Sequence, residues 1–204
     1  MAPAYKFIYF NARGLGETCR FLFNYGGIEF EDIRFEDEEW PQLKPKMQFG
    51  IVPVLEHEGK QICQSIAIAK YLAKKVKLAG NDDWEDLEID AIVNTVYDLY
   101  LKVLPIYYEQ DSSKKESLKE KALKEALPYY LPRLEAIVQK NNGYLALGRL
   151  TWADLHWASL SPIFDILTGK DNLAGFPNLK GLREKVNELP AIKKWIEIRP
   201  KTEM

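Results

Sequence analysis

Phe49-Gly-Ile-Val-Pro-Val-Leu-Glu-His-Glu-Gly-Lys-Gln-Ile-Cys-Gln-Ser65 is the stretch on which the fold turns. Ile51-Val-Pro-Val-Leu55 and Gln61-Ile-Cys63 are short β-forming runs separated by a tight turn at His57-Glu-Gly-Lys60, the signature of a hairpin. Gln64-Ser65 then opens a helix, with Ile66, Ala69, Tyr71 and Leu72 available for its buried side. Pro53 inside a strand run removes a ladder hydrogen bond, so it belongs at an edge or a turn. An X-Pro bond is cis at small cost. A cis Val52-Pro53 would turn the Val52 N–H and C=O toward an open edge where an extended peptide could pair, while an ordinary edge proline would do no more than end the strand. Ser65 has two readings as well: an N-terminal cap, or part of a carboxylate site built on the first N–H groups of the helix.

Upstream, Tyr5-Lys-Phe-Ile-Tyr-Phe10 is a strand rich in aromatics, and Asn11-Ala-Arg-Gly-Leu-Gly16 is a turn. Leu15, Cys19, Leu22 and Phe23 recur at helical spacing until Gly26-Gly27, and a second strand runs through Phe30 to Phe35. With an irregular turn or helix at Trp40-Pro41, the order is βαβ, α, ββα. That is the plan of a thioredoxin-like α/β domain, assigned to residues 1–78. The polar stretch Lys77-Leu-Ala-Gly-Asn-Asp-Asp83 breaks the periodicity and places a linker at 79–83.

Residues 84–204 read as an all-α bundle. Amphipathic segments run from Trp84 to about Glu109 and from Ser117 to about Gln139, with helices starting near Thr151, Pro177 and Pro190. Lys114, Lys115, Lys119, Lys121 and Lys124 alternate with Glu116, Glu120 and Glu125, a solvated face and not a basic patch. Thr151-Trp-Ala-Asp154 fits a capping box, with Leu150 stapling onto Leu155, and so reads as a folding element.

Composition excludes several function classes. The formal net charge of −2 leaves no cationic excess for a nucleic-acid backbone. No apolar run approaches the roughly 18 residues of a membrane span, and the chain enters its first strand directly, without a signal-peptide pattern. Two cysteines, Cys19 and Cys63, suit a reducing compartment, so a cytoplasmic location is expected. Both are expected to be small core residues, and neither His57 nor His156 has neighbours at metal-ligand spacing.

Tyr9, Val52-Pro53 and Gln64-Ser65 together resemble the glutathione transferases. Tyr5-Lys-Phe-Ile-Tyr-Phe-Asn-Ala-Arg-Gly14, Trp40-Pro-Gln-Leu-Lys44, Phe49-Gly-Ile-Val-Pro53 and Gln64-Ser-Ile-Ala-Ile-Ala-Lys-Tyr-Leu72 are similar to the sigma class, and the likeness runs on through Asp90-Ala-Ile-Val93, Leu150-Thr-Trp-Ala-Asp154 and Arg199-Pro-Lys-Thr202. The resemblance implies glutathione as co-substrate, with no metal required, and Tyr9 as the hydrogen-bond donor to its sulfur. Val52, within Ile51-Val52-Pro53, would meet the cysteinyl unit, Gln64 and Ser65 the γ-glutamyl carboxylate, and Trp40 and Lys44 the glycine carboxylate. Asp98 would reach the γ-glutamyl amine of a second subunit, making the working protein a homodimer. Phe10 would lie between the glutathione and acceptor half-sites, and small hydrophobic electrophiles would meet Phe10, Leu15, Tyr97, Leu101 and Tyr108.

The chemistry suits these residue types. A thiol of pKa about 8.5 is mostly protonated at neutral pH, and a tyrosine of pKa about 10 keeps its proton and can donate it in a hydrogen bond to the thiolate. The class also holds vertebrate prostaglandin D synthases, from which this chain departs. Ile51 and Leu15 replace basic residues, Asn94, Tyr97 and Asp98 stand for an acidic metal cluster, and Leu104-Pro-Ile106 lacks a cleft tryptophan. Conjugation of electrophiles is therefore the leading expectation. Isomerisation of prostaglandin H to prostaglandin D stands second, and a low-activity carrier of the same fold third.

Overall fold

The computed structural model describes residues 3–202 and residue 204. They form two compact units, one containing residues up to Leu78 together with Glu188–Met204, the other Ala79–Asn187.

In the first unit, β1 (Tyr5–Phe10), α1 (Glu17–Tyr25) and β2 (Phe30–Phe35) make a parallel crossover, and β3 (Val54–His57) and β4 (Lys60–Cys63) make an antiparallel hairpin. The sheet order is β2-β1-β3-β4, so β1 is central, parallel to β2 and antiparallel to β3. This is the expected thioredoxin-like arrangement, with α2 (Trp40–Leu43) in the irregular segment and α3 (Ser65–Lys75) after the hairpin. Alternation along β1 buries Tyr5, Phe7 and Tyr9, and α1 meets that face through Phe23, whose ring lies 5.8 Å from Tyr5 and 6.0 Å from Phe7. Glu58 and Gly59 both have positive φ, at 51° and 74°, as a two-residue hairpin turn requires.

The hairpin begins at Val54, later than the expected Ile51, because Pro53 has no N–H to give to a ladder. The Val52-Pro53 peptide is cis.

The second unit holds α4 (Asp83–Val103), α5 (Pro105–Tyr108), α6 (Ser112–Lys121), a π-helical turn at Ala122–Ala126, α7 (Leu127–Lys140), α8 (Trp152–Thr168) and α9 (Pro177–Asn187). Its core is α8, which packs against α4 and α9 and buries Trp152, Leu155, Trp157, Leu160 and Phe164. The two long helices expected from periodicity are each interrupted. Pro105 starts a new helix after Val103, and Asp111 accepts from Ser113 N and Lys114 N at 2.9 and 3.1 Å to start α6 ahead of Ser117. The π turn closes with Leu127 N donating to Ala122 O. Pro128, next in sequence, has no N–H for the regular pattern. Thr151 and Asp154 form the anticipated capping box, with Thr151 N donating to Asp154 Oδ2 at 2.7 Å.

Two boundaries differ from the expected 1–78, 79–83 and 84–204. Residues 79–83 are fastened to the start of α4, where Gly80 N donates to Asp86 Oδ1 at 2.8 Å, Asn81 N to Glu85 Oε2 at 2.7 Å, and Asp82 caps Trp84 N and Glu85 N at 2.9 Å each. At the other end, α10 (Pro190–Ile198) belongs to the first unit: it packs on α1, and Trp195 Nε1 and Arg199 Nη1 donate to the buried Glu17 at 2.8 and 2.7 Å.

Candidate active site

Register alone brings the candidate residues of the first unit to one end of the sheet. Ile8 pairs with Val54, and Val54 pairs with Cys63. One step further along each chain lie Tyr9 on β1, Pro53 before β3 and Gln64 after β4, side by side at the same edge. Val52 and Ser65 follow directly.

Tyr9 is 8 % exposed, and its hydroxyl oxygen accepts from Leu15 N at 3.1 Å. A phenol can accept and donate at once, and accepting a bond strengthens it as a donor. The turn Gly14–Gly16 wraps this ring. A Cβ on Gly14 would lie 2.7 Å from Tyr9 Oη, and one on Gly16 would lie 2.6 Å from Tyr9 Cδ1. Leu15, expected on the acceptor side, thus touches Tyr9 through its backbone.

Phe10 and Trp40 meet edge to face with ring centroids 5.4 Å apart, and both rings contact Phe35, at 4.6 and 5.6 Å. Tyr9 and Phe10 are 5.7 Å apart, so four rings link the sheet end to α2. Trp40 is half-buried and Lys44 is exposed at the end of α2, its methylene stem lying against Gly50.

Gln64 has φ of 82° and ψ of 104°, a backbone state costing about 1–3 kcal/mol for a residue with a side chain. It occupies the N-cap position of α3, so Ser65 is the first helical residue and not the cap. The first N–H groups of α3 therefore start at Ser65, at the sheet end that carries Tyr9. Cys19 Sγ donates to Ser65 O at 3.7 Å and is itself fully buried, which pushes its thiol up to about 12. It is a packing residue and holds no reactive thiolate at neutral pH.

Behind Tyr9 lies a buried ion network that the sequence did not disclose. Arg20, 0 % exposed, donates to Asp32 Oδ1 at 3.0 Å and to the Ala12 carbonyl at 2.6 Å, and lies 3.4 Å from Glu17. Its guanidinium carbon sits 5.7 Å from the Tyr9 ring centroid and 5.6 Å from that of Phe7. Arg34 donates to Asp32 at 2.8 Å and Arg199 to Glu17 at 2.7 Å. Three guanidiniums thus share two carboxylates, and the positive balance beneath Tyr9 favours an anion at its hydroxyl. The only signal in the sequence was Glu17 and Arg20 at i,i+3 on a helix that also carries Cys19, Phe21, Leu22 and Phe23.

In the second unit, Leu101 and Tyr108 line a cleft of about 450 Å³ with Leu104, Pro105, Glu109 and Leu118. Tyr97, expected beside them, stands on α4 with its ring 6.2 Å from that of Tyr100 and is not among the residues of this cleft. Asp98 is on the exposed side of α4, and its charge raises the Tyr130 hydroxyl pKa, after the larger contribution of burial. Among the described residues, no group of three His, Cys, Asp or Glu converges to hold a metal ion, and no helix is long and apolar enough to cross a membrane.

Two family models match the chain: "Glutathione S-transferase, N-terminal domain" over residues 5–74 and "Glutathione S-transferase, C-terminal domain" over residues 97–199. A glutathione S-transferase of Anopheles gambiae is 46 % identical over 99 % of this chain and 100 % of its own length. Hematopoietic prostaglandin D synthase of Gallus gallus is 42 % identical over 98 % of each chain. The solved structure of prostaglandin synthase D of Nilaparvata lugens superposes with a TM-score of 0.93 at 42 % identity, covering 98 % of this chain and all of that one. Matched in both its units and along nearly its whole length, the chain belongs to the glutathione S-transferase family.

Proposed function

We propose that this protein is a sigma-class glutathione transferase that activates glutathione through Tyr9 and adds its sulfur to small hydrophobic electrophiles, a detoxifying role in the cytoplasm. One observation carries the reading: Tyr9, Val52-Pro53 and Gln64-Ser65 stand side by side at one sheet end, with the Tyr9 oxygen already engaged by Leu15 N. An extended peptide laid along that edge pairs with the backbone of Val52, beside Ile51 and Pro53. Its γ-glutamyl carboxylate is held at Gln64 and Ser65, where the N-terminus of α3 favours negative charge. Trp40 and Lys44 take the glycine carboxylate.

Tyr9 then donates to the cysteinyl sulfur. A hydrogen bond to a charged acceptor is worth about 1.5–3 kcal/mol, which lowers a thiol pKa by about one to two units. That is enough to make the thiolate abundant at neutral pH. The thiolate attacks the electrophile, which rests on apolar side chains drawn from Phe10, Leu15, Tyr97, Leu101 and Tyr108. In a homodimer, Asp98 of a second copy meets the γ-glutamyl amine.

The test is glutathione conjugation of a chlorinated nitrobenzene by the wild type and by Tyr9→Phe, with thiolate absorbance of the bound peptide followed against pH. Tyr9→Phe is expected to raise the thiol pKa by one unit or more and to slow turnover about 10- to 100-fold near pH 6.5. Equal rates would remove Tyr9 from the mechanism. A wild type that binds glutathione without turnover would instead favour a carrier. The likeness to two prostaglandin D synthases supports a second activity, isomerisation of prostaglandin H, assayed on the same preparations. Turnover of prostaglandin H far above conjugation would reverse the order.

A further inference from the structure

We infer that Glu109 is a specificity-determining residue of the acceptor site, whose carboxylate turns the cleft against anionic electrophiles and toward uncharged or cationic ones. This deepens the proposed conjugation and rests on the reading of the cleft around Leu101 and Tyr108 as the place where the electrophile sits. Leu101, Leu104, Pro105, Tyr108 and Leu118 line that cleft with carbon and one phenol, and Glu109 alone among its lining residues carries charge. Lys102 and Lys121 line a separate cavity of about 390 Å³, with Leu118 common to both. An electrophile in the acceptor cleft therefore meets one negative charge and, among the described residues, no cation lining the same walls.

The chain around Glu109 holds this charge in place. Its N–H donates to Pro105 O at 3.2 Å, and with φ of −73° and ψ of 124° it leaves α5 in an extended conformation. Glu109 Oε1 accepts from Asp111 N at 2.9 Å, and Asp111 in turn caps the first N–H groups of α6. Among the described residues Glu109 makes no ion pair, and its second oxygen accepts no hydrogen bond. The residue is half-buried, so water and salt screen its charge only in part. Two like charges about 5 Å apart lose roughly 4- to 16-fold in affinity at an effective dielectric constant of about 80 to 40. A glutamate that only braced the turn through Asp111 N would treat anionic and neutral acceptors alike.

The experiment compares two acceptors of one shape, 4-chloro-3,5-dinitrobenzoate and 4-chloro-3,5-dinitrobenzamide, in the wild type, Glu109→Gln and Leu101→Trp. With either acceptor the glutathione thiolate forms a C–S bond at the chlorinated carbon and chloride leaves, so the pair differs by one negative charge. Glu109→Gln keeps an amide oxygen for Asp111 N and removes the carboxylate. It is expected to raise the benzoate-to-benzamide ratio of kcat/KM about tenfold. Raising ionic strength from about 20 to 500 mM should raise the same ratio in the wild type and move it far less in the variant. Leu101→Trp fills the cleft from the exposed side of α4 and should lower kcat/KM for both acceptors by about fivefold or more. An unmoved ratio in Glu109→Gln, beside losses on both acceptors in Leu101→Trp, overturns the inference and leaves the acceptor site in place. Equal losses on both acceptors in Glu109→Gln overturn it too and make Glu109 a brace for the turn. Wild-type rates on both acceptors in Leu101→Trp remove the cleft from the reaction and the inference with it. Should Glu109→Gln not fold, the wild-type salt response decides: a ratio that holds from about 20 to 500 mM overturns the inference.

Discussion

Glu17→Gln probes the buried ion network with the smallest possible change of shape. Glu17 is 0 % exposed; its Oε1 accepts from Trp195 and Arg199, at 2.8 and 2.7 Å, and its Oε2 lies 3.4 Å from Arg20. The amide that fits best puts its oxygen at Oε1 and so keeps both of those bonds, now without charge. Its NH₂ then faces Arg20, donor against donor. Weakening a charge-assisted bond to a neutral one loses about 1 kcal/mol, and leaving a buried guanidinium half-compensated adds more. The total is about 3 kcal/mol, at the lower end for breaking a buried ion pair. Amide exchange is the assay. Because Glu17 anchors α10 to α1, exchange in Pro190–Ile198 should quicken about 100-fold at constant pH. Exchange in α8, of the other unit, should be unchanged. The urea midpoint of the first unit should fall by roughly 1.5 M for an m-value of about 2 kcal/mol/M. An α10 that exchanges at the wild-type rate, with an unmoved midpoint, would refute the assignment of this carboxylate as the clasp.

Three further outcomes are expected. Burial pushes the Asp154 carboxyl up to about 6, against the bonds it accepts from Leu145 and Thr151, and pushes His156 down to about 3. Between pH 4 and 6 the native state keeps a proton at Asp154 that the unfolded chain has released, so stability falls as pH rises. Over the same window the unfolded chain binds a proton at His156 that the native state refuses, so stability rises with pH. Each slope is about 1.4 kcal/mol per pH unit and the two nearly cancel: denaturant midpoints should be flat for the wild type, rise with pH for Asp154→Asn and fall with pH for His156→Phe, and parallel profiles in all three would contradict both shifts. Cys19, in a Cys63→Ser background, should react with an aromatic disulfide reagent only after unfolding, and fast native labelling would contradict its burial. Asp98→Asn should raise KM for glutathione about tenfold with kcat little changed, as expected for one charge-assisted bond made from a second copy; an unchanged KM would place Asp98 outside the site.

The mixed sheet was legible in the sequence because its signals are local. Tyr5–Phe10 is a run of aromatic β-formers, Gly26-Gly27 stops α1, and His57-Glu-Gly-Lys60 can do little but turn. The convergence of Tyr9, Pro53 and Gln64 was legible only through resemblance, since register between strands is a property of pairing and not of any one strand. Glu17 and Arg20 were missed for a different reason. An i,i+3 charge pair on a helix has the same pattern whether water or protein surrounds it, and here the surroundings include Trp195 and Arg199 from the far end of the chain. Gly14 and Gly16 were read as turn residues, which they are. Their closeness to the Tyr9 ring depends on how the turn folds back over β1, and no spacing rule encodes that. The placement of α10 with the first unit was equally invisible, because amphipathic periodicity says that a helix has a face to bury without saying against what.

The discontinuity of the first unit has a consequence for the order of events on the ribosome. Its opening segment, through Leu78, leaves the exit tunnel while Glu188–Met204 has still to be made, about 110 residues later. At roughly 5–20 residues per second this is a wait of about 5–20 s. During it, Glu17 has neither Trp195 nor Arg199 to accept from, and the face of α1 that α10 later covers stands in water. The helical unit, contiguous from Ala79 to Asn187, is complete first. A nascent chain stalled before residue 188 would therefore expose that face of α1 to proteases and chaperones alongside a finished helical unit. Emergence of Glu188–Met204 is the step that supplies Trp195 and Arg199 to Glu17 and covers α1.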